Sequence, residues 1–183
     1  MAIKLPDFAN ALQKAIEKAV SPDAMRSYAL EAANMIRVRT RLGYGVASSG
    51  GKRERLKPLS ESYKKQRAGQ LGFFTTESGA VVPYKPKRKP KISEFTTPGR
   101  SNLTFTGQLL DSLQVTSANR GKATIGVQGR RAGSSLTNRD VARFVEEQGR
   151  PFLNLSDVEI KRVNELVTKR LTEELRKLGF DIR

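Results

Sequence analysis

The sequence predicts an α+β domain in which N-terminal and long C-terminal helices pack on a small antiparallel β-sheet, with long basic loops and an arm between them. Three observations carry that expectation. Apolar residues recur at helical spacing at both ends of the 183-residue chain, a hairpin pattern lies at 113–127, and most of a net charge of +16 sits in a Gly- and Pro-rich middle. The length suits one domain over 1–183, with a basic Gly/Pro-rich loop region at about 43–57 and an extended basic arm at about 76–100.

The elements follow in order. Asp7 can cap a helix over 7–20, with Phe8, Leu12, Ala15, Ile16, Ala19 and Val20 on one face. Ser21-Pro22-Asp23 restarts a helix as N-cap, first helical residue and first-turn acid, and Met25, Tyr28, Ala29, Ala32 and Ile36 carry its stripe to about Arg41. Residues 43–51 hold too many glycines for regular structure and read as a loop. A short helix capped by Ser60 is expected over 58–67, then irregular chain over 75–100. Thr106 can cap a brief helix that buries Leu109, Leu110 and Leu113. The hairpin follows, with Val115, Ile125 and Val127 facing a core across the turn "NRG".

Thr137 with Asp140 three residues on predicts a capping box for a short helix carrying Val141, Phe144 and Val145. The last helix is announced by a second box, Ser156 with Glu159. Its stripe comprises Val158, Ile160, Val163, Leu166, Val167, Leu171, Leu175 and Leu178, and Gly179 stops it with Phe180 folding back onto Leu175. Glu165/Lys169 and Glu173/Lys177 give ordinary i,i+4 support on its outer faces.

The chain has no cysteine and no histidine. Disulfides, thiol chemistry, the usual neutral-pH base and the commonest metal ligand are thereby excluded. Asp111, Glu146 and Glu147 remain as acids an enzyme could use, but adjacent helical residues do not face one another. No catalytic, metal or cofactor site is expected. A signal-peptide pattern and an apolar run of membrane-spanning length are both absent from the sequence, so a soluble protein made in the cytoplasm is expected.

Residues 37–100 contain sixteen Lys or Arg against four Asp or Glu. One cluster comprises Arg37, Arg39, Arg41, Lys52, Arg53, Arg55 and Lys57. The other comprises Lys85, Lys87, Arg88, Lys89 and Lys91, spaced by Pro83, Pro86 and Pro90, which favour an extended backbone with splayed cations. Both are candidates to face an anionic partner, nucleic acid included. A solvated, self-repelling loop is the plainer alternative. Signatures of sequence-specific nucleic-acid reading are missing.

The stretch "GRPFLNLSD" (149–157) combines a corner with a helix start. Gly149 ends one element, Pro151 forces Arg150 out of helical geometry, and Phe152, Leu153 and Leu155 enter a core before Ser156 starts the long helix.

With "ARFVEEQG" ahead of it, this pattern resembles the closing segment of the phage virion-morphogenesis or tail-completion proteins, the neck proteins of long-tailed phages. The match runs through Phe144, Glu147, Gly149, Arg150, Pro151, Phe152 and Leu153. Two further stretches are similar to that family and occur in its order. "LKPLSESYKKQR" (56–67), with Pro58 and Leu59, has Leu56 where tryptophan is usual and Tyr63 where threonine is usual. "LTFTGQLLDSLQV" (103–115) matches through Leu103, Thr106, Gly107, Leu109 and Ser112. The chain departs from the family in lacking the aromatic–histidine pair that some members have near the Glu-Gly and in carrying the long basic arm at 76–100.

The resemblance implies a non-enzymatic virion protein, assembled in the host cytoplasm as a homo-oligomeric ring of six copies at the head–tail junction. It implies a head-side adaptor or stopper and a tail terminator or tube protein as partners, with non-specific contact to packaged DNA and none to membrane. The competing expectation, from charge alone, is a basic, sequence-nonspecific nucleic-acid-binding protein.

Overall fold

Ser21 explains how the first two helices divide. Its hydroxyl accepts from the Ala24 N–H at 3.4 Å while Pro22 occupies the first turn, so α1 (Leu5–Ala19) ends and α2 (Pro22–Arg41) begins within three residues. A computed structural model of the chain describes residues 5–47, 49–57, 73–75, 81–83, 108–130 and 135–180. Among these the fold is α+β. After α2 come β1 (Tyr44–Val46), β2 (Arg53–Arg55), β3 (Phe73–Thr75), β4 (Val81–Pro83), α3 (Gln108–Asp111), β5 (Leu113–Asn119), β6 (Lys122–Val127), α4 (Asn138–Glu147) and α5 (Asp157–Lys177). The described strands form three two-stranded antiparallel ladders, β1–β2, β3–β4 and β5–β6, in place of one sheet.

Helix α2 organises the packing. Its buried stripe of Ala24, Tyr28, Ala29, Ala32, Ala33 and Ile36 is mostly alanine, which lets neighbouring backbones approach closely. Against it lies a core of Leu109 and Leu110 from α3, Leu113 and Val127 from β5–β6, Ala142 from α4, and Phe152. Partly buried Ile125, Val141, Val145, Leu153 and Leu155 fill its margin. The β5–β6 hairpin pairs Leu113 with Val127 and Val115 with Ile125, with a bulge between Val115 and Ser117. Its tip is tied to the N-terminal helices, since the Gly121 N–H donates to the Val20 carbonyl at 2.9 Å and Arg120 meets Glu17 at 3.0 Å. Helices α1 and α5 run together along the far side, joined by Lys18–Glu174 at 3.2 Å and by an edge-on contact of Phe8 with Phe180 at 5.4 Å.

Several expectations are corrected. Helix α1 starts two residues ahead of Asp7, which lies within its first turn. Residues 43–51 do not form a plain loop. Tyr44–Val46 form β1, paired with β2, with Gly45 inside the strand and Gly50 and Gly51 at φ +80° and +105° ahead of β2. Val81–Pro83, expected to be irregular, is strand β4. Ile16, Phe144, Val158, Ile160 and Leu178 point outward. Helical geometry explains four of these. Phe144 lies about 200° around α4 from buried Ala142, and Ile16 about 100° around α1 from Ala15; Val158 and Ile160 flank Glu159, the residue that α5 turns inward. On α5 the ion pairs are Arg162–Glu165 and Lys177–Glu174, both i,i+3, where i,i+4 pairs were expected. Phe180 returns to Leu175 through its N–H, at 3.1 Å from that carbonyl, while its ring meets Phe8. The helix expected over 58–67 with its Ser60 cap, and the Thr106 cap, lie outside the described residues.

Candidate interaction site: the corner joint and the basic hairpin

The corner is built from the core outward. Gly149, at φ +74°, closes α4, and Pro151 turns the chain so that the Phe152 ring is fully buried beside Ile36 and Leu110. Phe152 then has a main-chain carbonyl inside the protein, and Asn154 has another nearby. Arg39 meets both, donating from Nη2 at 2.6 and 2.9 Å. Its Nη1 bonds Oε2 of Glu159. That same carboxylate oxygen accepts from the Ser156 N–H at 2.8 Å and the Ser156 hydroxyl at 2.9 Å, so the capping box of α5 is also the counter-ion of Arg39. Arg53 on β2 reaches the same place, with Nη2 at 3.4 Å from Glu159 Oε1 and Nε at 3.3 Å from the Ser156 hydroxyl.

Both ends of the Arg39–Glu159 pair are out of water, at 2% and 0% exposure. Burial holds the Arg39 guanidinium below its ordinary value, with Glu159 acting in the opposite sense and Arg53 adding to the depression. Arg39 Nε and the Thr40 hydroxyl have no partner there.

The β1–β2 hairpin is clamped onto this joint. The Val46 N–H donates to the Pro151 carbonyl at 3.2 Å, Asn154 Nδ2 donates to the Ala47 carbonyl at 2.9 Å, and the Asp157 N–H donates to the Gly51 carbonyl at 3.0 Å. Gly45 is required by this approach, because a Cβ there would lie 2.1 Å from the Pro151 carbonyl oxygen and 2.5 Å from Leu56 Cδ2.

Four of the predicted partner-facing cations therefore have structural roles. Arg39 is buried in the joint, which corrects its expected outward role, and Arg53 braces it. Arg37 donates from Nε to the Leu110 carbonyl at 3.1 Å and from Nη2 to the Leu113 carbonyl, and Arg41 pairs with Asp111 at 2.9 Å. Lys52 and Arg55 are exposed, and neither engages another side chain. Lys57 is exposed as well. Lys85, Lys87, Arg88, Lys89 and Lys91 lie outside the described residues, as do Pro58, Leu59, Thr106 and Gly107. The remaining motif residues converge: Leu109 and Phe152 are in the core, Leu153 is packed against it, and Gly149, Arg150 and Pro151 form the turn.

Sequence reasoning missed the Arg39–Glu159 pair, although a signal existed. Arg39 follows Ile36 by three residues and Ala32 by seven, which places it on the buried stripe of α2.

The acids considered for catalysis are dispersed. Asp111 pairs with Arg41, and Glu147 with Arg143 at 3.6 Å. Glu146 is half-buried, and burial raises its pKa against a hydrogen bond from the Leu153 backbone. Among the described residues no group of three or more acidic side chains gathers as metal ligands would, and no helix is long and apolar enough to cross a membrane.

Comparison of the chain with protein-family models, curated proteins and solved structures returned no match.

Proposed function

We propose that this chain is a non-enzymatic structural protein of the neck of a long-tailed phage, a head–tail connector or tail-completion protein. It assembles as a ring at the head–tail junction, in the virion, and joins a head-side adaptor or stopper to a tail terminator or tube. The corner joint is the observation that carries this reading. Gly149-Arg150-Pro151-Phe152-Leu153, the segment with the densest resemblance to that family, lies where α2, α4, α5 and the β1–β2 hairpin meet, so the pattern coincides with a buried, hydrogen-bonded junction of the fold.

A second reading, a sequence-nonspecific nucleic-acid-binding protein, draws support from Lys52 and Arg55. These are exposed cations on an anchored hairpin, and among the described residues no side chain pairs with them.

The mass of the purified protein, measured at low and high salt with and without duplex DNA, separates the two. A closed oligomer that forms without DNA and survives high salt supports the neck reading. A monomer that binds DNA tightly, with an affinity falling steeply in salt, supports the second.

A further inference from the structure

Among the described residues, the β6 edge of the β5–β6 ladder is open along its length. The Gln128 N–H donates to the Ser112 carbonyl at 3.1 Å, which sets the phase of the ladder. Gln114 and Gly126 then form a hydrogen-bonded pair, whereas Leu113–Val127 and Val115–Ile125 turn their main-chain groups away from each other. Beyond the bulge, Asn119 and Lys122 close the two-residue turn, so Ala123 also turns outward on β6. The N–H and C=O groups of Ala123, Ile125 and Val127 therefore line one edge, and no hydrogen bond to them is present among the described residues. The opposite edge is partly closed, because Arg37 caps the Leu113 carbonyl. Past β6 the chain is closed off as well, since Asn138 bonds the Gln128 and Gly129 carbonyls. The opening is thus a six-residue strand edge, Lys122–Val127, backed by α2. Such an edge templates the addition of another strand.

Among the described residues, β3 and β4 form a strand pair with no comparable backing. β3 is Phe-Phe-Thr and β4 is Val-Val-Pro, residues that favour pleated, packed strands. Among the described elements β3 and β4 pack extensively only against one another. A two-stranded hairpin by itself is marginal in water and needs a third strand or a covering surface. Pro83 leaves β4 one donor short, so β3 is the strand better able to complete a new ladder.

We infer that β3 of one copy of this chain pairs with the β6 edge of the next, extending β5–β6 into an intersubunit sheet. The inference rests on the ring-forming reading and specifies its contact. A ring requires a heterologous interface between two different patches. The open edge at Lys122–Val127 and the β3–β4 pair, which packs extensively on no other described element, are two such patches. Pairing of two β6 edges would instead close a two-fold dimer.

The absence of native cysteine makes the test direct. Thr75→Cys and Thr124→Cys are made as separate chains and as a double variant, with Phe73→Cys and Phe74→Cys paired to Thr124→Cys in turn to allow for register. Mild oxidation of an equimolar mixture of the single variants is expected to give a heterodimer, and of the double variant a ladder of covalent multimers. An internally crosslinked monomer would overturn the inference, because the hairpin would then cover its own sheet. A native oligomer by mass with no crosslink at any register would also overturn it while leaving the ring reading intact. A monomer by mass with no crosslink would defeat both.

Discussion

The β1–β2 and β5–β6 hairpins both lie against α2, yet different physics holds them. In β5–β6 the strands are seven and six residues long, and Leu113, Ile125 and Val127 supply an apolar face to the core that holds Ala33 and Ile36. The strands of β1–β2 are three residues each, and all of β2 is exposed. Apart from Val46 and Leu56 it offers little to a core. It stays in place through directed contacts: four hydrogen bonds to the 151–157 segment, one of them from Arg53 to the Ser156 hydroxyl, together with Arg53 on Glu159 and Gly45 against the Pro151 carbonyl. Burial of area is tolerant of residue identity provided volume is kept, whereas a buried ionic joint tolerates almost no change in one partner alone.

That contrast can be broken most severely at Glu159. Replacing it with alanine leaves the Arg39 guanidinium buried without its counter-ion and should cost about 3–5 kcal/mol. Denaturant unfolding would read the loss, and amide exchange should rise first at Val46 and Leu56. If β5–β6 loosened equally, the two hairpins would not be separately held. The pair replacement Arg39→Met with Glu159→Leu should recover only part of the loss, because it removes both charges together but leaves the Phe152 and Asn154 carbonyls and the Ser156 N–H without these partners.

Phe152→Ala tests the point that both hairpins share, and should also cost about 3–5 kcal/mol for a fully buried ring. Leu113→Ala should cost about 2–5 kcal/mol and loosen β5–β6 while leaving the β1 contacts with Pro151 protected from exchange.

Acid is a finer probe. The Asp140 carboxyl is held below its ordinary 3.8 chiefly by the Thr137 hydroxyl and N–H. An acid whose folded value is depressed contributes stability that is present above its unfolded value and lost as pH falls through the folded one. Stability should therefore decline below about pH 3.8, and Thr137→Ala, which costs about 1 kcal/mol as a lost cap, should flatten that decline. Glu146 has the opposite sign. Its raised value means that its contribution is present at low pH and lost as pH rises through that value, so Glu146→Gln should raise the melting temperature slightly at neutral pH. The smallest effect is expected for Lys52→Ala with Arg55→Ala, within about 0.5 kcal/mol, since both side chains are exposed and neither pairs with a described side chain. A salt-dependent loss of DNA binding in that double variant would sharpen the division between anchoring and outward cations.

Local chemistry made much of this fold legible. Ser21-Pro22, Thr137 with Asp140, and Ser156 with Glu159 place three helix starts correctly, because a cap bonds within three residues of itself. The turn at Arg120-Gly121 and the stops at Gly149 and Gly179 are equally local, and positive φ is read from glycine alone. The glycines of 43–51 misled because composition counts residues without showing what each approaches. Gly45 is explained by Pro151, more than a hundred positions away, and Gly50 and Gly51 by a turn whose strands are held by that same corner.

Residue types, helical periods and the uneven charge were thus settled by the chain itself, as were α+β character and the entry of Phe152 into the core. Which cations face inward was not. Spacing from Ala32 and Ile36 puts Arg39 on the buried stripe of its helix, but an arginine becomes internal only where folding brings acceptors to it. The carbonyls of Phe152 and Asn154 and the carboxylate of Glu159 reach Arg39 across 113 to 120 positions. An ion pair buried at that separation exists only once the helices have packed, because the cost of desolvating each charge is offset by a partner that local sequence cannot supply.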